Sequence, residues 1–435
     1  MTQSLTNSLA TLDPAELDAE ALFSALPANR VGEADRRYME EVLTAGFGNF
    51  ESADMLGRFE AAFAAKFDMP FAISHNSGTG TMQSCLLATG VGPGDEVIVP
   101  TFTMAATALV VLQCGAVPVF ADCHPDTYNI DPEDVRRKLS EQTKAIIPVC
   151  LHGLPADFDP LLELAREHNL TVIEDDAQCF LSLYKGRLVG TIGDAASFSL
   201  QGSKHMTSGN DGGMVVTRDE EYARGIRKAA VLGYRTLEAR PGSTMIPRDE
   251  RQDWDFRRHD KLGYNFRMSA PQAALGMGQL ERLDELVAAR RYIAWRYETV
   301  IQEEGCQWLV APHVPETTTH SYFSYPCRLD EELLGVDWRS FRLRFIEHGG
   351  DGLYAALVPV HLEPIFETMT FYGSKERAPN FDPRYKGQVK SYSEGDCPTA
   401  ERLRKQLCLF KTGMQTLEKV ESQVEALRQT IRYYA

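Results

Sequence analysis

No apolar stretch in this 435-residue chain approaches the roughly 20 residues a membrane-spanning helix needs. Segments such as Ala105 to Leu112 are among the longest, so no membrane partner is expected. Residues 1–12 lack the basic stretch followed by an apolar one that marks a secretion signal. Positive charge is also short, with 45 Lys and Arg against 61 Asp and Glu and a net charge of −16. A phosphate backbone demands clustered cations, so nucleic acid is not an expected partner. The nine cysteines include no CxxC pair, and an odd, scattered set argues against a disulfide framework or a zinc site. The ten histidines form neither HExxH nor HxH, so no metal site is expected. These absences point to a reducing, cytoplasmic setting. What remains is 43% hydrophobic and 24% charged, which excludes a wholly disordered or fibrous chain.

At this length two or three domains are expected. Residues 1–35 read as a polar arm with short helical pieces. From about Phe71 short β-branched runs alternate with amphipathic stretches. Glu96–Val99, Ala145–Val149, Thr171–Glu174, a strand around Phe198 and Met214–Thr217 read as strands, and Pro160–His168 as a helix. That alternation predicts an α/β fold with a mostly parallel central sheet covered by helices. A long helix is predicted from Ser269, with Pro271 in its first turn, through Arg290 to Tyr297. It bridges a large domain, 36–297, to a smaller C-terminal α+β domain, 298–435. The latter carries strand-like Tyr322–Leu329 and a helical end from Leu417 to Tyr433. Two stretches, 238–259 and 372–398, read as long loops.

Four segments could carry chemistry. Asn76–Thr81 is a small-residue loop opening a helix, where free N–H groups and a Thr hydroxyl can hold a phosphate. Its plain alternative is a turn with a helix cap. Glu174-Asp175-Asp176 ends a predicted central strand, where open parallel sheets bind ligands. Its plain alternative is an exposed acidic loop. Lys204 sits among small residues between two predicted strands, poised for amine chemistry unless it is one more surface lysine. Gly263–Met268 immediately precedes the long helix. In order, a phosphate cradle, a strand-end carboxylate and a lysine suit an aldehyde cofactor with a phosphate and a protonatable ring nitrogen.

With these motifs in place, the chain from about Phe59 onward resembles the DegT/StrS sugar aminotransferases among the fold type I pyridoxal-phosphate enzymes. The likeness rests on Asn76–Thr79, Gly90–Ile98, Gly115–Phe120, Tyr128–Asp131, Gly153–Asp157, Glu174-Asp175, the Lys204 segment and Gly263–Met268. The resemblance implies a fold type I transferase with pyridoxal 5'-phosphate as cofactor. It implies that Lys204 is the Schiff-base lysine and that Asp175 pairs with the pyridine nitrogen. Gln178 stands beside the phenolic oxygen, and Gly78, Thr79 and Ser199 hold the phosphate. Asn265 is implied to reach the phosphate of another subunit, hence a homodimer with shared sites. Met104 falls where the family usually stacks an aromatic on the ring, with Phe102 as the other candidate. Asp176 replaces a usual small residue, and Gly209–Gly213 is one residue longer than the usual loop.

The implied reaction moves an amino group from L-glutamine or L-glutamate to a keto-sugar or keto-cyclitol, in amino-sugar, aminocyclitol or antibiotic biosynthesis. Gly350–Ala356, followed by His361, is closer to the cyclitol and keto-glucose branch. Six arginines between 235 and 258 form a basic island that suits either a substrate phosphate or a solvated loop neutralised by its own acids. The rivals are a sugar dehydratase of the same family, with His at the Schiff-base position, a non-catalytic regulatory relative, and another fold type I reaction such as decarboxylation.

Overall fold

A computed structural model describes residues 8–46 and 54–435. Strands β1 (Phe71–His75), β2 (Glu96–Pro100), β3 (Val117–Ala121), β4 (Thr143–Ile146) and β5 (Thr171–Asp175) alternate with helices. A small hairpin follows, β6 (Leu183–Tyr184) and β7 (Arg187–Leu188), then β8 (Ala195–Ser199) and β9 (Gly213–Thr217). All but the hairpin join one seven-stranded sheet in the order β1-β9-β8-β5-β4-β2-β3. Only β9 runs against its neighbours. Strands β2, β3, β8 and β9 are buried at every residue, because helices cover both faces.

The predicted strand Ala145–Val149 is displaced. β4 ends at Ile146, since Pro148 has no N–H to give a ladder. The Pro148 carbonyl instead accepts from Asp175 N–H at 2.9 Å, and Val149 meets Asp175 in an isolated bridge. The predicted helix around 160–168 is present as Phe158–His168, closed by Asn169 in the left-handed region with φ 53°.

The single long helix predicted from Ser269 to Tyr297 is two helices, Ala270–Leu280 and Leu283–Glu303. The Ser269–Gln272 capping box opens the first. Arg282 leaves helical geometry at the break, with φ −117° and ψ 24°. Its guanidinium donates to Gly278 O at 2.9 Å, Arg30 O at 3.0 Å and Asp35 Oδ2 at 2.5 Å. The break serves to pin the arm, and no Gly or Pro marks it in the sequence.

The arm has short turns at Leu9–Thr11 and Pro14–Glu16 and a helix at Ala19–Ala25. It lies along Leu283–Glu303, where Arg291 donates to Ala10 O and Leu12 O and Phe23 packs edge-on against Tyr292. Residues 1–7 of the expected arm lie outside the described residues.

Beyond this helix β10 (Leu309–Val310), β11 (Ser324–Leu329), β12 (Tyr354–Ala355) and β13 (Leu407–Lys411) form a second, antiparallel sheet in the order β10-β11-β13-β12. The C-terminal helix spans Leu417–Tyr434. The segment 372–398 is irregular but anchored. Tyr385 donates to Glu96 Oε1 at 2.6 Å and Tyr392 to Pro118 O at 2.9 Å. It thereby covers the β3 edge of the large sheet. The segment 238–259 holds one short helix, Arg248–Gln252, and leaves Trp254 94% exposed.

Candidate active site

The C-terminal ends of β1, β2, β5 and β8 lie at one edge of the large sheet, where such folds place ligands. There they frame a cavity of about 1090 Å³. Its lining includes Gly78, Thr79, Met104, Asp175, Gln178, Ser199 and Lys204. Residues up to 126 apart in sequence are thus brought together by topology. Asn265 does not line the cavity of its own chain; it is exposed, and its Oδ1 accepts from Arg267 Nε at 3.0 Å.

One end of the cavity presents donors that could hold an anion. Ser77 caps the helix Gly78–Thr89, its Oγ accepting from Gly80 N–H at 3.1 Å and its carbonyl from Thr81 N–H. The N–H groups of Gly78 and Thr79 then have no protein acceptor among the described residues. A Cβ on Gly78 would stand 2.9 Å from Ser199 Cβ, so only glycine lets the loop approach Ser199 this closely. The plain turn foreseen as an alternative is therefore a cap whose free donors face a cavity.

The three acids at the end of β5 are all buried, which overturns the exposed-loop alternative. They alternate in environment, as strand residues do. Glu174 accepts three backbone N–H bonds, from Gly190 at 2.9 Å and from Ile192 and Gly193 at 2.7 Å. Burial nonetheless pushes it up to about 7. Among the described residues Asp176 has no partner of ordinary hydrogen-bond geometry on either oxygen, and burial holds it well above the usual carboxylate range. Asp175 alone of the three lines the cavity. Its Oδ2 accepts from Thr107 Oγ1 at 2.9 Å and its Oδ1 from Ala177 N–H at 3.2 Å. Burial raises its pKa, opposed by those two bonds and by Lys204.

The Lys204 amine stands 4.6 Å over the Phe323 ring. Burial lowers its pKa to about 8, Asp175 opposing and Arg290 adding to the fall. His205, the neighbour that decides the dehydratase alternative, is fully buried outside the cavity lining. Its Nε2 meets Ser321 O at 2.9 Å, and burial keeps it neutral. Gln178 Oε1 accepts from His152 N–H at 2.9 Å, which leaves its NH2 as the free polar end. Met104 is 59% exposed on the cavity wall, whereas Phe102, also in the lining, is buried.

Three cavity residues escaped the sequence reading. His152 stands at φ 57°, its Nδ1 2.9 Å from Ser324 Oγ, and burial lowers it to about 3. Its position just past a strand end was the available signal. Arg30 and Arg290 bind the backbone around Lys204 and carry no motif. From the 350–356 segment, Asp351 and Tyr354–Ala356 line the far wall with Lys411 and Lys419. His361 does not reach it. It is buried between Thr101 Oγ1 at 2.5 Å and Glu401 Oε1 at 2.9 Å. None of the six arginines of the basic island lines the cavity, and Arg240 pairs with Glu238 at 2.6 Å.

Free helix N-terminal donors, two hydroxyls, a buried carboxylate and an amine of lowered pKa match a phosphorylated aldehyde with a basic ring nitrogen. Comparisons agree. The sequence profile of the DegT/DnrJ/EryC1/StrS aminotransferase family matches residues 29–380. The chain is 41% identical over 275 residues to GDP-perosamine synthase of Caulobacter vibrioides, covering 63% of this chain and 69% of that one. It is 36% identical over 315 residues to L-glutamine:2-deoxy-scyllo-inosose aminotransferase of Streptomyces lividus, covering 70% of each. The solved aminotransferase of Psychrobacter cryohalolentis superposes with a TM-score of 0.81 at 28% identity, over 94% of this chain and 99% of that one.

Proposed function

The chain belongs to the DegT/DnrJ/EryC1/StrS aminotransferase family, and from that premise we propose that Lys204 transfers an amino group from L-glutamine or L-glutamate to a keto-sugar or keto-cyclitol. It is a pyridoxal-phosphate-dependent sugar aminotransferase of fold type I. The observation that carries the reading is the Lys204 amine, on the cavity wall with a lowered pKa and with Asp175 as its facing anion.

The N–H groups of Gly78 and Thr79 and the hydroxyls of Thr79 and Ser199 would hold the cofactor phosphate. Asp175 would hold the proton on the ring nitrogen, each charge favouring the other. Gln178 would donate from its NH2 to the phenolic oxygen. Met104 would lie against the ring face as a polarizable thioether. When bound, the cofactor supplies an electron sink for a carbanion at the donor Cα. Lys204 Nζ, on the cavity wall, would be the amine that holds the cofactor's aldehyde. Its free amine would take the donor Cα proton and return it, as base and then acid. A pKa near 8 suits both directions close to neutral pH. Two half-reactions through one cavity make the kinetics ping-pong.

Asn265, outside its own cavity, would serve the phosphate of a second copy, so the working unit is a homodimer. The keto acceptor would rest on the far wall near Asp351 and Tyr354. The placement of His205 supports transamination over dehydration, because the only cavity-lining base of the pair is Lys204. We further read 36–297 as the cofactor-binding domain and 298–435 as a smaller domain closing the cavity.

The test incubates the protein with pyridoxal phosphate, L-glutamine or L-glutamate, and a panel of keto-cyclitols and keto-sugars, read by mass spectrometry. Gain of an amino nitrogen by one acceptor supports the reading. Loss of water from the sugar without nitrogen gain would establish the dehydratase instead.

A further inference from the structure

Two guanidinium groups meet on the backbone of the Lys204 loop. Arg30 comes from the N-terminal arm. Its Nη1 donates to Gly202 O at 2.5 Å, and its Nη2 to Lys204 O at 2.7 Å and His205 O at 2.9 Å. Arg290 comes from the helix Leu283–Glu303. Its Nη2 donates to Ser203 O at 2.9 Å and Lys204 O at 3.2 Å. Its Nη1 donates to Phe323 O at 2.9 Å and Thr412 Oγ1 at 3.1 Å. The Lys204 carbonyl thus accepts from both cations, and every residue from 202 to 205 is gripped at its carbonyl.

Arg30 is itself held in place. Its carbonyl accepts from Gln279 Nε2 at 2.7 Å and from Arg282 Nη2 at 3.0 Å. Its backbone has φ 64°, a conformation uncommon for a residue with a Cβ. Arg282 is tied in turn to buried Asp35. The arm is therefore locked to the helix break on one side and to the lysine loop on the other.

Mere fastening would be better served by other partners. Neither Arg30 nor Arg290 forms a salt bridge among the described residues, and both meet neutral carbonyls. Arg30 Nε is buried without a partner among the described residues. Placing two like charges on one loop, largely desolvated and without a carboxylate partner, is a poor source of stability. Burial, with Arg30 adding to it, draws Arg290 down to about 9. What the arrangement does achieve is a fixed backbone under a flexible lysine side chain, at the one place where the reaction needs the amine aimed.

We propose that Arg30 is a positioning residue for transamination: with Arg290 it clamps the Lys204 loop, so the N-terminal arm is a working part of the active site. This rests on Lys204 being the reacting amine. Loosening the clamp lets water reach that amine and lets its carbonyl anchor drift. A displacement of about 1 Å lowers turnover by about 100-fold.

The test compares wild type, Arg30→Gln and Arg30→Lys. Deuterium uptake by residues 200–207 reads loop order without substrate. Labelling of Lys204 by acetic anhydride across pH in the protein freed of cofactor, read by mass spectrometry, gives its titration midpoint. In Arg30→Gln, uptake is expected to rise about tenfold in this segment alone. The labelling midpoint is expected to move up from about 8, because burial is the main cause of its depression. Turnover should fall about 10- to 100-fold with a smaller change in donor KM. Arg30→Lys, which keeps the charge but not the two-pronged grip, should fall between, and it stands in if Arg30→Gln does not fold. Unchanged uptake and midpoint, or uptake rising evenly across the chain, would overturn the proposal. An active Lys204→Ala would instead sink the assignment of Lys204 and leave the exchange result standing.

Discussion

The Lys204 amine stands 4.6 Å over the Phe323 ring and has no protein hydrogen-bond acceptor among the described residues. The ring face favours the charged amine, against the burial that lowers its pKa to about 8. Replacing Phe323 by Leu removes that support but keeps the apolar wall. The titration midpoint of Lys204 should fall by about one pH unit, since a desolvated cation–π contact contributes about 1 to 2 kcal/mol. Labelling of Lys204 across pH checks this, and an unchanged or raised midpoint would contradict it.

Gly78→Ala tests the cradle. The new Cβ would press on Ser199 at 2.9 Å and displace the two free N–H donors. Loss of one hydrogen bond to a charged phosphate costs about 1.5 to 3 kcal/mol, so the Kd for pyridoxal phosphate should rise about 10- to 100-fold. Fluorescence titration of the apoprotein measures it. The melting temperature without cofactor should change far less than the Kd does.

Asn265 gives a test of the shared site. If it serves a second copy, Asn265→Ala and Lys204→Ala each abolish or cripple activity alone. Mixed dimers of the two would contain one intact cavity. Co-expression with two affinity tags, followed by tandem purification, should recover up to about half the wild-type activity per dimer. Mixed dimers as inactive as either parent would show that each cavity is complete within one chain.

A stability prediction concerns Glu60 and Arg227, an ion pair with both side chains essentially fully buried. Glu60 Oε1 also accepts from Ser74 N–H and Oγ, both at 2.8 Å, and its Oε2 from Gly242 N–H at 2.7 Å. Burial would raise this carboxyl, but Arg227 and those donors prevail and its pKa lies below 4.5. A depressed carboxylate stabilises the fold above its unfolded pKa, and that contribution fades as pH falls from near 4.5 through the folded value. Arg227→Met leaves Glu60 buried and unpaired, at a cost of about 3 to 5 kcal/mol by urea unfolding at pH 7. The loss should be smaller at pH 4, where the lone Glu60 can take up a proton.

The mostly parallel sheet was legible in the sequence because buried strands read as β-branched runs, from Glu96–Val99 to Met214–Thr217, although the antiparallel course of the last was not. The cradle, Asp175 and Lys204 were legible because they sit at strand ends in chain order, and the family resemblance tied them together. The helix break at Arg282 was hidden. Its cause is a side chain reaching back to Arg30 and Asp35, and hydrophobic periodicity carries no trace of that. The shift of β4 turned on Pro148, whose missing N–H was in plain view. Arg30 and Arg290 were invisible for a similar reason. Their partners are main-chain carbonyls 174 and 86 residues away, and any sequence supplies carbonyls. Residue type alone could not sort the acids at 174–176; the resemblance singled out Asp175, and it alone of the three lines the cavity because strand pleat and the neighbours of β5 decide which one faces it.

Transamination through Lys204 can be read in one spectrum. The protein loaded with pyridoxal phosphate is recorded in the near-ultraviolet and visible before and after L-glutamate or L-glutamine alone, in wild type and in Lys204→Ala. Wild type should show a visible cofactor band that gives way to the shorter-wavelength amine form on adding one of the donors, with no such conversion in Lys204→Ala. Equal conversion in both proteins, or a wild type that binds the cofactor and ignores both donors, would contradict it.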